Sequence, residues 1–308
     1  MCRLSILVPW WNEARSFEDT LVSILEHRPQ NAEILVVHPH RYGDPYELRN
    51  EVRFIQCAAK SELELINTGF YRAAGDVVHV VRCGLLATRD WTDHAAAQFE
   101  RPEVAAVAVT IVGIDGVRRS GWQFTRGGKL HRLTSTATDR IASRCTAPCI
   151  DASFFRRQSV LDLGGFNPEI ACFPELDLGI ALSHLQLQCM TDQDGELRVS
   201  VEPACLTDSS QISEALEVLY WQTRRDRSAL RIGLSHLMTV AGELVLGQFA
   251  AVIGRLRGWR KVDHDVYWDR IADAQERMRD RGDPQDQAVE SDPSLLDSDL
   301  ADQSRRAA

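Results

Sequence analysis

Glu175 and Asp177, in Pro174-Glu175-Leu176-Asp177, stand where a helix reads as beginning, with proline fitting the first position and acids favoured by the dipole of the first turn. Arg82 follows the apolar run Val77-Val78-His79-Val80-Val81 and offers a planar fork of donors suited to phosphate oxygens, although merely capping a strand end is the reading preferred for it. His38 and His40 flank Pro39 after another apolar run, and with Cys83 they make an imidazole–thiolate set of zinc-like character. A fourth ligand is not evident, and a histidine pair split by proline is ordinarily a loop feature, so no metal is assigned to them. Trp10 and Trp11 follow the first apolar run, where an indole could stack on a nucleobase or a sugar face, or only fill space.

Something must hold these residues together. Short apolar runs at 4–8, 33–37, 52–56, 76–81 and 104–112 read as strands, and the first, second and fourth end at Pro9, His38 and Arg82. Between them lie helical patterns, one with Phe17, Leu21, Ile24 and Leu25 on a face and one capped by Ser61 with Leu63, Ile66 and Phe70. Strands alternating with helices predict an α/β, doubly wound, mostly parallel sheet with helices on both faces. Ligands then sit beyond the carboxyl ends of the strands, so Pro9, His38 and Arg82 are expected around one crevice. Residues 115–148 are rich in Gly, Arg, Ser and Thr and carry no clear period; order returns at 150–156, in a Gly164-Gly165-Phe166 turn with an apolar anchor, and in a strand at 197–202. From 213 to 278 the pattern is helical, and the last residues, 281–308, read as an acidic disordered tail. No Gly-x-Gly-x-x-Gly follows the first strand and no Walker loop is present, which sets aside a dinucleotide oxidoreductase.

A formal net charge of −9 and a pI near 5.5 argue against a nucleic-acid partner held through phosphates. The 308 residues include eight cysteines with no Cys-x-x-Cys pair, and nothing at the start resembles a secretory signal, so a cytoplasmic protein with reduced thiols is expected. Residues 230–256 form an amphipathic stretch with Glu243 as the single formal charge from 234 to 253 and Arg255, Arg257 and Arg260 after it. Packing on the core or on a partner subunit is narrowly preferred there over peripheral membrane contact on the cytoplasmic side.

Three stretches, in order, resemble family 2 inverting glycosyltransferases of the GT-A fold. Ser5-Ile6-Leu7-Val8-Pro9-Trp10-Trp11-Asn12-Glu13-Ala14 is similar to that family's opening strand, proline and Asn-Glu pair. The stretch 67–78, with Asp90-Trp91 beyond it, is similar to the helix entering the strand that carries the metal-binding acids. Residues 152–169 and 173–182 are similar to the acceptor-side segment with its Gly-Gly-Phe turn and acidic helix start. There are departures. Arg82, Cys83 and Gly84 stand where an Asp-x-Asp motif usually holds Mn²⁺ or Mg²⁺, His38 and Pro39 replace acids that grip the nucleoside, and Leu206-Thr207-Asp208 replaces a metal-liganding histidine.

The resemblance implies a GT-A-like domain at 1–207, and the pattern beyond it adds a helical C-terminal extension at 208–280 and the tail at 281–308. It implies inverting transfer of a sugar, a hexosyltransferase class of reaction, from a nucleotide sugar to a glycan or lipid-linked acceptor. Glu175 falls at the catalytic-base position and Asp177 at the next acid, while Pro9, Trp10, Trp11, Glu13, His38, Arg82 and Gly84 line the nucleotide-sugar side. No metal is expected, because its usual ligands are replaced. A scaffold or sugar-recognition module that has lost catalysis is the alternative.

Overall fold

The computed structural model describes residues 3–11, 14–40, 42, 47–125, 127–135, 142–170, 172–201, 208–224 and 230–282. The first half runs β1 (Leu4–Pro9), α1 (Ala14–Glu26), β2 (Glu33–His38), β3 (Val52–Gln56), α2 (Glu62–Arg72), β4 (Val77–Val81), β5 (Leu85–Ala87), α3 (Asp93–Ala97) and β6 (Val104–Val112). Then come β7 (Arg118–Phe124), β8 (Leu130–Ser135), β9 (Ala152–Arg156), α4 (Arg157–Asp162), α5 (Pro174–His184) and β10 (Gln188–Val199). Four helices follow among the described residues: α6 (Ser209–Gln222), α7 (Leu230–Val245), α8 (Phe249–Trp259) and α9 (His264–Asp280). Tail residues 283–308 lie outside the described residues.

The main sheet has the order β3-β2-β1-β4-β9-β6-β10-β5. Strands β1 to β4 are parallel, β9 runs antiparallel between β4 and β6, β10 is parallel to β6, and β5 closes the edge antiparallel. The strands expected at 4–8, 33–37, 76–81 and 104–112 thus share one sheet, with both faces covered, which is why they read as continuous apolar runs. Successive side chains go to opposite faces. Ile6, Val8, Val36 and Val81 join Phe17, Leu21 and Ile24 of α1 in one core; Leu7, Leu35, Val37 and Val80 join Leu65, Ile66 and Phe70 of α2 and Leu178 and Leu182 of α5 in the other. Helix α9 returns to that second core through Tyr267, Ile271 and Ala274.

The unreadable middle folds as a β7–β8 hairpin, with β7 also pairing with β6. The strand expected at 197–202 is the end of a longer strand, β10, whose start is concealed by a bulge between Thr191 and Glu196. The buried Asp192 carboxylate supports that bulge by accepting the N–H groups of Asp194 and Gly195. Gly164 and Gly165 both take positive φ, and Asn67 brackets Phe166 with two 2.8 Å hydrogen bonds; a Cβ at Gly165 would sit 2.7 Å from the Asn67 Oδ1.

His79 is fully buried in β4, stacked on Phe154 at 3.7 Å and tilted against Trp91 at 4.9 Å. Neither ring nitrogen makes a well-formed hydrogen bond, the Ser153 backbone being the nearest help, and burial lowers the pKa to about 3. The unfolded chain therefore takes up this proton near 6.5 while the folded chain resists it until about 3. His79 costs nothing above the unfolded value and removes up to ~1.4 kcal/mol per pH unit as pH falls below it. His79→Leu is expected to weaken the acid-side fall in melting temperature measured from about pH 7 to about pH 4, leaving the neutral value little changed.

Candidate active site

Sheet parity decides which side chains meet beyond the strand ends. Register pairs Pro9 with Val37 and Leu7 with Val80, so one further step aligns Trp10, His38 and Cys83 on the α1 face and Pro9, Val37 and Arg82 on the α2 face. His38 and Arg82, expected around one crevice, therefore leave the sheet on opposite faces. The single-residue alternation that the strand ends impose separates them.

On the α1 face the strand ends carry an aromatic pile. Trp10 stacks on Phe17 at 4.3 Å with an interplanar angle of 5°, and Tyr42 meets its edge at 5.3 Å. His38 is 3% exposed, its Nδ1 pairs with the His40 carbonyl at 2.7 Å, and burial lowers its pKa. The His40 Nε2 meets the Trp11 carbonyl at 2.6 Å, and the Cys83 thiol donates to the Pro9 carbonyl at 3.5 Å. These polar atoms serve the local main chain. Gly84 makes the turn out of β4 with φ of 94°, its N–H donating to Thr20 Oγ1 and its carbonyl accepting from Ser200. Glu13 lies outside the described residues, as do Leu206 and Thr207.

On the α2 face, where Trp11 packs, Arg82 is held between two carboxylates. Its Nε and Nη2 donate to Glu62 at the start of α2 (2.7 and 2.5 Å), and its Nη1 donates to Asp151 (2.7 Å), while its backbone N–H binds the Asp151 carbonyl. Burial opposes the Arg82 charge, but Asp151 and Glu62 outweigh it and drive the pKa further up. For Asp151 burial pulls upward, and the net shift is down because Arg82 lies against it.

The network continues through the β7–β8 hairpin. The Cys149 thiol donates to Asp151 (3.1 Å), and Arg132 Nη1 donates to that sulfur (3.0 Å). Burial pushes the Cys149 thiol up, so it stays protonated. Arg132 and Trp122 are a cross-strand pair, the guanidinium lying 4.6 Å over the indole ring. Among the described residues Arg132 has no carboxylate partner, and its Nε is buried without a hydrogen bond. The Trp122 Nε1–H donates to Glu175 Oε1 at 2.9 Å. Glu175, 5% exposed, has its pKa raised to about 7, first by burial and further by Asp151, against the Trp122 bond and Arg132. Phe173, just before α5, takes the left-handed φ of 58° and meets Trp122 edge-on at 5.3 Å. For a bulky residue that is a strained conformation of about 1–3 kcal/mol, and it stands beside the perturbed acid.

Asp177 lies elsewhere. Residues two apart on a helix do not share a face, and this carboxylate, 1% exposed, is bound by Arg270 of α9 at 2.5 Å and Gln222 of α6 at 3.3 Å. Arg270 also donates to the carbonyls of Leu163 and Gly165. Asp177 thus ties the C-terminal helices to α5, while Glu175 faces the hairpin.

The residues at the end of β4 do not fit a divalent ion. Glu62 and Asp151 converge there, but both already bond a fixed cation between them. A separate group of ligand-type side chains, His94, Asp192 and Asp194, lies by α3 and β10, where Asp192 is engaged by His94 at 2.6 Å and by the bulge. Four members of the central network, Glu62, Trp122, Arg132 and Asp151, were not singled out from the sequence. Trp122 and Arg132 sit in the stretch without a period, and neither Glu62 nor Asp151 belongs to a recognisable motif. The signal that could have found the acids is the arginine itself, since a partly buried cation at a strand end demands carboxylates.

No family model matches the sequence, and no curated protein matches it. Among solved structures, a mannosyltransferase from Pyrobaculum calidifontis in complex with GDP-Man and Mn²⁺ is similar over 90% of this chain and 88% of its own, with TM-score 0.54 and 16% identity. GalNAc-T7 with UDP, GalNAc and Mn²⁺ gives 0.54 at 13% identity over 77% of this chain, which spans 54% of that one. Residues 1–349 of S. aureus TarS with UDP-GlcNAc give 0.53 at 12% identity, covering 79% and 73%. The fold is that of the GT-A glycosyltransferases.

Removing the guanidinium would leave Glu62 and Asp151 facing each other. Arg82→Met is expected to lower stability by about 1–3 kcal/mol near neutral pH, a buried-pair cost reduced because the side chain is partly exposed. Because Arg82 depresses the Asp151 pKa, the contribution is present above the ordinary aspartate value and is lost as pH falls through the folded one. Melting curves of both proteins should therefore converge toward acid pH.

Proposed function

We propose that this protein is a nucleotide-sugar glycosyltransferase that works without a divalent metal and uses Glu175 as its base. The observation that carries the reading is a buried glutamate lifted to about 7, aimed by Trp122 and neighboured by an arginine with no carboxylate ion pair among the described residues. Perturbed acids in such surroundings are candidates for proton transfer. In the reaction an acceptor hydroxyl oxygen forms a bond to the anomeric carbon as the bond to the diphosphate oxygen breaks. The hydroxyl proton passes to the Glu175 carboxylate, and the nucleoside diphosphate leaves with the electron pair, inverting the configuration. The likeness to structures holding GDP-Man, UDP and UDP-GlcNAc supports a nucleotide-sugar donor. Glycan or lipid-linked hydroxyls are the acceptor class this reading takes.

The charge balance around Arg82 favours slow turnover. A metal held by two acids assists a leaving diphosphate by several kcal/mol; here one guanidinium is matched against two carboxylates, and the surplus is negative. Among the described residues Arg132 is a further cation acting on Asp151 and Glu175. The same observation, with Trp10 stacked on Phe17 beyond β1, supports a second reading in which the protein recognises sugars or scaffolds an assembly without turnover.

Donor binding is expected to be independent of Mn²⁺. Calorimetric titration with UDP- and GDP-sugars in EDTA and then in Mn²⁺ should give equal affinities, and a large gain with metal would refute the metal-free reading.

Glu175→Gln keeps the Trp122 bond and removes the base. Transfer should fall about 10²–10⁴-fold, and the wild-type rate should rise with pH through about 7 as the carboxylate ionises. Stability moves the other way. A raised glutamate pKa means the folded state holds its proton between about 4.5 and about 7, so ionising it above that range costs stability. The variant should be more stable than wild type at alkaline pH, by up to about 3 kcal/mol, and equally stable at pH below the ordinary glutamate value. Wild-type turnover undiminished in Glu175→Gln would remove Glu175 as base; no turnover with any donor would favour the second reading.

A further inference from the structure

Among the described residues the α7–α8 hairpin carries most of the exposed large apolar side chains. Val245 is 85% exposed, Leu246 74%, Phe249 63%, and along the outer faces Leu237, Leu256 and Trp259 are exposed to 60–64%. Its orientation is fixed from the other side. Gly254 and Gly258 of α8 press on α6 so closely that a Cβ would lie 2.1 Å from the Ser210 carbonyl oxygen and 2.4 Å from that of Glu214. Phe249, Ile253 and Leu256 follow at helical spacing on the opposite face.

The charges are arranged to match. Between 234 and 256 the formal charges are Glu243 and Arg255, and they neutralise each other inside the hairpin at 2.6 and 2.8 Å, Arg255 also reaching Glu217. At the base of α8 the sign turns positive. Arg257 and Arg260 are exposed beside Trp259, and neither has an ion pair among the described residues. In a chain of net charge −9 this is a local reversal. Phe249 to Arg257 spans about 12 Å of helix, against about 15 Å for one leaflet of a ~30 Å hydrocarbon core. No helix among the described residues is long and apolar enough to cross a membrane.

We propose that the α7–α8 hairpin docks this protein on an anionic lipid bilayer, its apolar tip entering one leaflet and Arg257, Trp259 and Arg260 lying at the headgroups. An apolar tip with an aromatic and basic collar is the pattern of interfacial anchoring. A second copy of the chain fits less well. Leu244, Val245 and Leu246 are consecutive and all exposed, so they point about 100° apart around the helix end, and one flat protein face cannot cover them. A fluid acyl phase covers every side.

The test is flotation of the full chain with vesicles of phosphatidylcholine, alone and mixed with phosphatidylglycerol, beside light scattering of the protein without lipid. Binding to the mixed vesicles is expected, weaker to phosphatidylcholine alone and decreasing with salt. Val245→Glu with Phe249→Glu should abolish it while leaving the melting temperature unchanged, since both side chains are exposed. Arg257→Gln with Arg260→Gln should weaken it about 30-fold, as two surface charges are lost. No binding to either vesicle, or a dimer in light scattering that the Val245→Glu, Phe249→Glu variant dissolves, would overturn the proposal, the latter in favour of a second copy.

Discussion

The Arg82 guanidinium joins the carboxyl end of β4, the start of α2 and the segment entering β9 through three charge-assisted hydrogen bonds. Its two acids come from residues 20 and 69 positions away in sequence, and each would be an uncompensated charge without it. Everything on the α2 face beyond the strand ends is arranged around that constraint. Asp151 is kept ionised by Arg82, so it can accept from the Cys149 thiol, and its negative charge helps raise the pKa of Glu175. A divalent ion bound by two acids would be exchangeable; a guanidinium is permanent. At the end of β4 the cation between the two acids is built into the chain.

The surroundings of the strand ends are of two kinds. Toward β4 the polar groups satisfy one another, and the α1 face is closed by rings stacked on rings. Toward the β7–β8 hairpin, satisfaction is incomplete. Arg132 keeps a buried Nε with no partner, Glu175 sits where burial opposes its charge, and Phe173 bends through a strained conformation to start the helix. An unpaired donor, a perturbed acid and backbone strain meet around Trp122, the combination on which the proposed role of Glu175 rests.

The sequence was legible where one physical demand dominates. Strands buried on both faces read as apolar runs, so β1, β2, β3, β4 and β6 were found almost to the residue. The Gly-Gly-Phe turn was readable because only glycine takes the required φ at low cost. Arg82 stood out because it stands at a position where the sequences it resembles usually carry an acid. What a linear reading misses is parity and pairing. His38 and Arg82 end the two strands that flank β1, yet a one-residue offset in register sends them to opposite faces. Trp122 and Arg132 matter because they face each other across a hairpin, and a hairpin of mixed Arg, Ser, Gly and Trp has no apolar period to announce it. The β10 bulge hid its strand for a related reason: a carboxylate bonding to the backbone replaces the ladder there.

The C-terminal helices couple the two ends of the molecule. Asp177 and Glu175 begin the same helix but face different neighbours, one bound to Arg270 of α9 and the other to Trp122. Arg270 simultaneously grips the carbonyls of Leu163 and Gly165, so α9, the Gly-Gly-Phe turn and α5 are fixed as a unit. Helix α6 enters the same arrangement through Gln222, and α8 presses on α6 through two glycines with no room for a side chain. The path from the exposed tip of the α7–α8 hairpin to the start of α5 is therefore one of close backbone contact and buried ion pairs rather than of loops. A surface that holds the hairpin would therefore also fix the direction in which Glu175 and Arg132 face.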